Sequence, residues 1–234
     1  YTEKDKALAA RMHKAITVIL FKLEGQKILR NPGFGMEDRL LLDKIDYAHK
    51  CITIGDVKYD LADTDFPTVD REHPYELSPE EDEVIGQLTE SFQRSEKLQK
   101  HVRFLYSKGG LYKVFNGNLL LHGCIPLTPD GQIMKFSVVG CKDLGGRAFL
   151  DHAEKVARQG YYAKPGSPER LAGMDFLWFL WCGRNSPLFG RDRMTTFERR
   201  LIKDESSWSE PKNAYYTYYH DPALCDALLA EFGL

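Results

Sequence analysis

The stretch "NGNLLLHGCIP", Asn116 to Pro126, sets an imidazole, His122, behind three leucines and immediately before a glycine. The hydrogen-bonded ladder of a strand fixes its direction, so a side chain at its end is aimed rather than mobile. Glycine next to it permits close backbone approach and unusual dihedral angles, leaving space for a ligand beside the ring. Neutral imidazole ligates zinc, manganese or iron when its second nitrogen is hydrogen-bonded. Two readings stand: a metal ligand aimed by the strand, or a core histidine satisfied before a turn. Cys124, two residues on, carries a nucleophilic atom. A Cys-His pair this close in sequence seldom has catalytic geometry and no orienting third group is evident, so it reads as packing.

Two basic segments offer cations. In "SEKLQKHVRFLYSK", Lys97, His101 and Lys108 share one stripe at helical pitch, while Leu98, Val102 and Leu105 form a separate apolar face. In "GRNSPLFGRDR", Arg184, Arg191 and Arg193 lie on a loop, and guanidinium forks match phosphate oxygens. For both, a solvated basic surface is the competing reading. Asp175, inside an apolar segment, reads as a hydrogen-bonded structural carboxylate or as a buried functional acid. The cluster "YYTYYH" from Tyr215 reads as core or interface rather than a base-stacking platform, since no basic groove accompanies it.

The elements that must position these residues follow from periodicity and punctuation. Leu8, Met12, Ala15, Ile16, Ile19 and Leu23 recur at helical spacing and predict a long amphipathic helix, ended by Asn31-Pro32-Gly33. "CITIGDVKYDL" from Cys51 predicts a hairpin about Gly55-Asp56, and residues 62–77 an irregular connection. Ser78-Pro79-Glu80-Glu81 is a capping box that opens a helix to about Arg94, with another from Ser95 to Lys108. Beyond Gly109-Gly110, "LYKVFNGNLLLHGCIPL" and "QIMKFSVVG" predict strands joined by a Pro-Asp-Gly turn. Helices are expected over 147–159, 168–182, 196–202 and 222–232, with Ser167 and Asp221 as N-caps. The helix holding Leu171, Met174, Phe176, Leu177, Trp178, Phe179 and Trp181 is apolar almost all round, which predicts burial on every side. A boundary near Gly110 would divide a mainly helical region, 1–110, from a mixed one, 111–234.

Composition narrows the function classes. The 234 residues are 43% hydrophobic and 28% charged with net charge −2, so no general field for nucleic acid or membrane is expected. Five cysteines without a CxxC pair argue against a disulfide framework or zinc ribbon and suit a reducing cytoplasm. Glu3, Lys4, Asp5 and Lys6 interrupt any leading apolar run, and "FLWFLWC" is too short to span a bilayer. The chain lacks an initiator Met and stops at a helix, which suggests part of something longer.

The run "LLLHGCIPLTPDG" resembles the middle of the class III fructose-1,6-bisphosphatases of the calcineurin-like metallophosphoesterase superfamily. "HKAITVILFKLEGQ", "MEDRLLLDKIDY", "SEKLQKHVRFLYSKG", "LWFLWCGRNSPLFG" and "MTTFERRLI" extend the resemblance over nearly the whole chain. It implies a mixed α/β fold, a mainly helical first half followed by part of a metallophosphoesterase β-sandwich flanked by helices. It also implies hydrolysis of the 1-phosphate of fructose 1,6-bisphosphate in gluconeogenesis, with Mn2+ as cofactor and His122 as a metal ligand.

The other motifs of that superfamily's metal site are absent. Gly55-Asp56 lacks its second aspartate at the required place and falls on a hairpin turn; His220-Asp221 lacks the preceding Gly-Asn and reads as a helix cap. Two divalent metals need roughly eight to twelve ligand positions, which one histidine cannot supply. The expectation is an internal fragment, inactive alone, whose partners are the remaining segments of the enzyme or another copy of the chain. The second phosphate of a sugar bisphosphate substrate needs cations away from the metals, and Lys97, His101, Lys108, Arg184, Arg191 and Arg193 are the candidates. The alternative is a noncatalytic regulatory or assembly module derived from that family.

Overall fold

The computed structural model describes residues 5–234 and divides them into two compact units. The first comprises the described residues up to Pro32, Met36–Glu96 and Thr195–Ser209; the second comprises Gly33–Gly35, Lys97–Met194 and Glu210–Leu234. The chain passes from the first unit to the second at Glu96–Lys97, and a later segment, Thr195–Ser209, returns to the first.

The first unit is organised by α1 (Lys6–Arg30), capped by Asp5, whose carboxylate accepts from Leu8 N at 2.9 Å. Of the expected face Ile19 is buried and Leu23 half-buried, but the N-terminal part is not. Leu8, Met12 and Ile16 are exposed, while Val18, Phe21 and Ile28 are buried. Val18 and Phe21 pack with Leu42, Ile52, Phe66 and Phe197. β1 (Ile45–Asp46), β2 (Cys51–Ile54) and β3 (Val57–Asp60) form an antiparallel sheet, with Ile45 opposite Ile52 and Ile54 opposite Val57. Gly55, at φ +61°, makes the turn that lets β2 and β3 pair. α2 (Pro79–Arg94) opens on the expected capping box: Ser78 Oγ accepts from Glu81 N, and Glu81 Oε2 accepts from Ser78 N. Glu81 also receives the fully buried Lys22 ammonium at 2.7 Å, which donates a second bond to Thr68 O. α6 (Thr196–Leu201) contributes Glu198, which grips Arg39 through two bonds of 2.7 and 2.9 Å.

The second unit begins with α3 (Glu96–Lys108), which buries none of its residues and exposes Phe104 and Leu105. Stacking of Tyr106 on Tyr161 at 4.0 Å ties it down, as does the bond from Arg158 Nη2 to Gly109 O. β4 (Tyr112–Phe115) and β5 (Asn118–Leu121) pair about Asn116 and Gly117, both at positive φ. An Asn-Gly pair suits such a two-residue turn, so the expected single long strand is a hairpin. The Thr128–Gln132 turn follows, and β6 (Lys135–Phe136) pairs with β7 (Leu144–Gly145). Among the described residues the expected sandwich is thus represented by two separate two-stranded ladders and two bridges, Leu127 to Ile133 and Arg191 to Lys212.

α4 (Gly146–Tyr162) and α5 (Pro168–Cys182) cross with Gly160 against Gly173, so close that a Cβ on either would meet the other's Cα within 2.5 Å. Ser167 caps α5 by accepting from Arg170 N, and Asp221 caps α8 (Pro222–Glu231) by accepting from Ala223 N; α7 (Tyr215–Tyr218) lies just before it. α5 is not buried on every side. Phe176, Phe179 and Leu180 face the core, but Leu171, Met174 and Trp181 form an exposed stripe. The fold is mixed α and β, with a helical first half and small antiparallel sheets.

Candidate functional site

His122 follows the last residue of β5 and its ring is exposed, without a hydrogen bond or ion pair among the described residues. The glycine after it has a definite task. Gly123 sits at φ +83°, and a Cβ there would lie 2.2 Å from Pro187 O and 3.1 Å from Leu188 O. One residue on, Cys124 N donates to Pro187 O at 2.9 Å. The strand end is therefore joined through its backbone to the loop carrying Arg184, Arg191 and Arg193. Gly190 of that loop completes the contact: a Cβ there would meet the Tyr216 hydroxyl at 2.9 Å and Cys124 Sγ at 3.1 Å. Cys124 is buried, and burial pushes its thiol up to about 12, so it is protonated and serves packing.

The three arginines come together, but none offers an unopposed charge. Asp192 lies between two of them, its Oδ1 3.1 Å from Arg184 Nε and its Oδ2 2.7 Å from Arg193 Nη2. Arg191 faces Glu210 at 3.5 Å. A cation that sequence reasoning missed, Lys212, is bridged through its backbone to Arg191 and holds its ammonium 5.5 Å over the Tyr216 ring. Only its proximity in the fold reveals it, since it stands nineteen positions after Arg193, the last arginine of the loop motif.

The α3 stripe is different. Lys97, His101 and Lys108 are exposed on one face. At about 1.5 Å rise per residue, Lys97 and Lys108 stand roughly 16 Å apart along the axis, too far for one phosphate. The C-terminal end of α3 nevertheless borders the loop, because Leu105, Tyr106 and Leu188 share a cavity of about 330 Å³ with Leu111, Leu177 and Leu180.

The remaining candidates have structural places. Gly55-Asp56 is a hairpin turn, and Asp221 is a helix cap. Asp175 is buried and engaged within the protein. Tyr215 and Tyr216 meet edge to face at 5.4 Å within the second unit. Among the described residues no three His, Cys, Asp or Glu side chains are grouped to hold a metal ion. His122 is a lone donor, so the described residues do not make a dinuclear centre by themselves.

Comparison with known proteins gives this arrangement its class. The chain belongs to the Firmicute fructose-1,6-bisphosphatase family, whose model matches residues 1–234. Its similar relatives are class 3 fructose-1,6-bisphosphatases. That of Clostridium botulinum (strain Langeland / NCTC 10281 / Type F) is 48% identical over 233 residues, covering 99% of this chain and 35% of the relative. That of Clostridium tetani (strain Massachusetts / E88) is 50% identical over 232 residues, with the same shares covered. The chain thus spans about a third of the length of the curated relatives it matches. No solved structure matches. Among the described residues no helix is long and apolar enough to cross a membrane.

Proposed function

We propose that this chain serves a cytoplasmic, gluconeogenic fructose-1,6-bisphosphatase that hydrolyses the 1-phosphate of fructose 1,6-bisphosphate. The observation that carries the reading is the backbone union of the His122 strand end with the arginine loop through Gly123 and Pro187. It joins the backbone of the strand end that carries an imidazole, suited to a metal, to the loop that carries three guanidinium groups, suited to phosphate oxygens. Mn2+ is the proposed cofactor, with His122 as this chain's contribution to holding it. Arg184, Arg191 and Arg193, with Lys212, are the proposed contacts of the substrate's second phosphate. Asp192 and Glu210 hold the guanidiniums in place before substrate arrives, at the expense of part of their charge.

The proposed partner is the remainder of a polypeptide of the relatives' length. It would cover the exposed apolar stripe of Leu171, Met174 and Trp181, since an apolar face of this kind is normally a contact surface. The test uses the full-length enzyme. His122→Ala is expected to abolish Mn2+-dependent release of phosphate from fructose 1,6-bisphosphate while the far-ultraviolet dichroism stays unchanged. Turnover at the wild-type rate in that variant would remove the assignment.

A further inference from the structure

The junction between the His122 strand and the arginine loop is held by a side chain that no motif marks. Asn213 is buried, and all four of its amide bonding positions are used. Its Oδ1 accepts from Leu127 N and from Tyr215 N, each at 2.9 Å. Its Nδ2 donates to Leu127 O and to Asn185 Oδ1, each at 3.1 Å. The two bonds to Leu127 pair a donor with an acceptor and an acceptor with a donor, so they define the orientation of the amide. Its backbone adds a third direction, with Asn213 N donating to Gly190 O at 2.9 Å. Asn185 in turn is held at φ +54° and its N–H donates to Arg191 O at 2.7 Å. Through its side chain and backbone together, Asn213 therefore links the segment after His122, both ends of the arginine loop and the start of α7.

We propose that Asn213 is the positioning residue of this site, setting the distance between His122 and the arginines; the inference rests on the bisphosphatase reading for its bearing on substrate. Aspartate has the same shape but no N–H, so Asn213→Asp turns a carboxylate oxygen toward Leu127 O and Asn185 Oδ1. Protonation at lower pH returns one donor. Asn185→Gly is the milder variant: it removes a single acceptor and keeps the left-handed backbone that glycine adopts freely.

Both variants are to be made in the full-length enzyme and read in two ways. Hydrogen exchange is expected to rise in residues 123–127 and 183–193 while α4 keeps its protection. The KM for fructose 1,6-bisphosphate is expected to rise about fivefold in Asn185→Gly, the ratio set by one hydrogen bond of about 1 kcal/mol. In Asn213→Asp it should rise more and recover partly as pH falls. A merely structural asparagine would lower the active fraction and leave KM alone; an unchanged KM overturns the proposal, as does exchange that rises everywhere or nowhere. A wild-type enzyme that does not hydrolyse fructose 1,6-bisphosphate refutes the bisphosphatase reading instead, and local exchange then decides whether the clamp exists.

Discussion

Replacing Gly123 by alanine tests the union of the His122 strand end with the arginine loop most directly. The added Cβ would stand 2.2 Å from Pro187 O, whereas ordinary contact begins near 3.4 Å, so a backbone carbonyl must retreat by about 1 Å. That retreat lengthens or breaks the 2.9 Å bond from Cys124 N to the same oxygen. The left-handed backbone at φ +83° costs an L-residue about 1–2 kcal/mol, and overpacking against a fixed group costs about 1–3 kcal/mol more. A loss of about 2–5 kcal/mol is expected in urea denaturation. Gly117→Ala is the control. Its φ is +70° but nothing lies within 4 Å of the added carbon, so only the backbone cost of about 1–2 kcal/mol applies. The reasoning is refuted if Gly123→Ala is no less stable than Gly117→Ala.

Glu24 supplies a pH signature. Burial pushes its carboxyl up from 4.5 to about 7, with Arg39 pulling it down and Glu198 pushing it further up. The stability it contributes is fully present below pH 4.5 and is lost as pH rises through 7. Glu24→Gln should flatten stability by about 1–3 kcal/mol between those limits, measured by urea denaturation at pH 5 and 8; parallel curves for the two proteins would count against it. Lys22→Met should cost about 3–5 kcal/mol by leaving the buried Glu81 without its ammonium. The double variant Lys22→Met, Glu81→Gln should recover much of that loss, and a purely additive double-mutant cycle would show that the two do not interact.

Local chemistry read from the residues reached the helix ends and turns. Ser78, Ser167 and Asp221 cap because a short polar side chain meets orphan N–H groups within three residues of itself. The same short range explains why α5 was delimited correctly and why Gly55 marks a turn. The pairing of β4 with β5 is also written locally, in Asn116-Gly117, although the apolar run around that pair reads as one strand. The buried face of α1 was legible only in part: Ile19 is buried as its spacing predicts, but Leu8, Met12 and Ile16 have the same spacing and are exposed, since burial depends on which side distant segments such as Phe66 and Phe197 approach.

At the site, the residue types at positions 122, 184, 191 and 193 were enough to name an imidazole and three guanidiniums as candidates, because a side chain's chemistry is intrinsic to it. Their neutralising partners were another matter. Glu210, 19 positions from Arg191, and the amide of Asn213, 86 positions from Leu127, acquire their roles through contacts distant in the chain. Periodicity carries information over a few residues, whereas a hydrogen bond or ion pair depends on distances set by the packing of the whole unit.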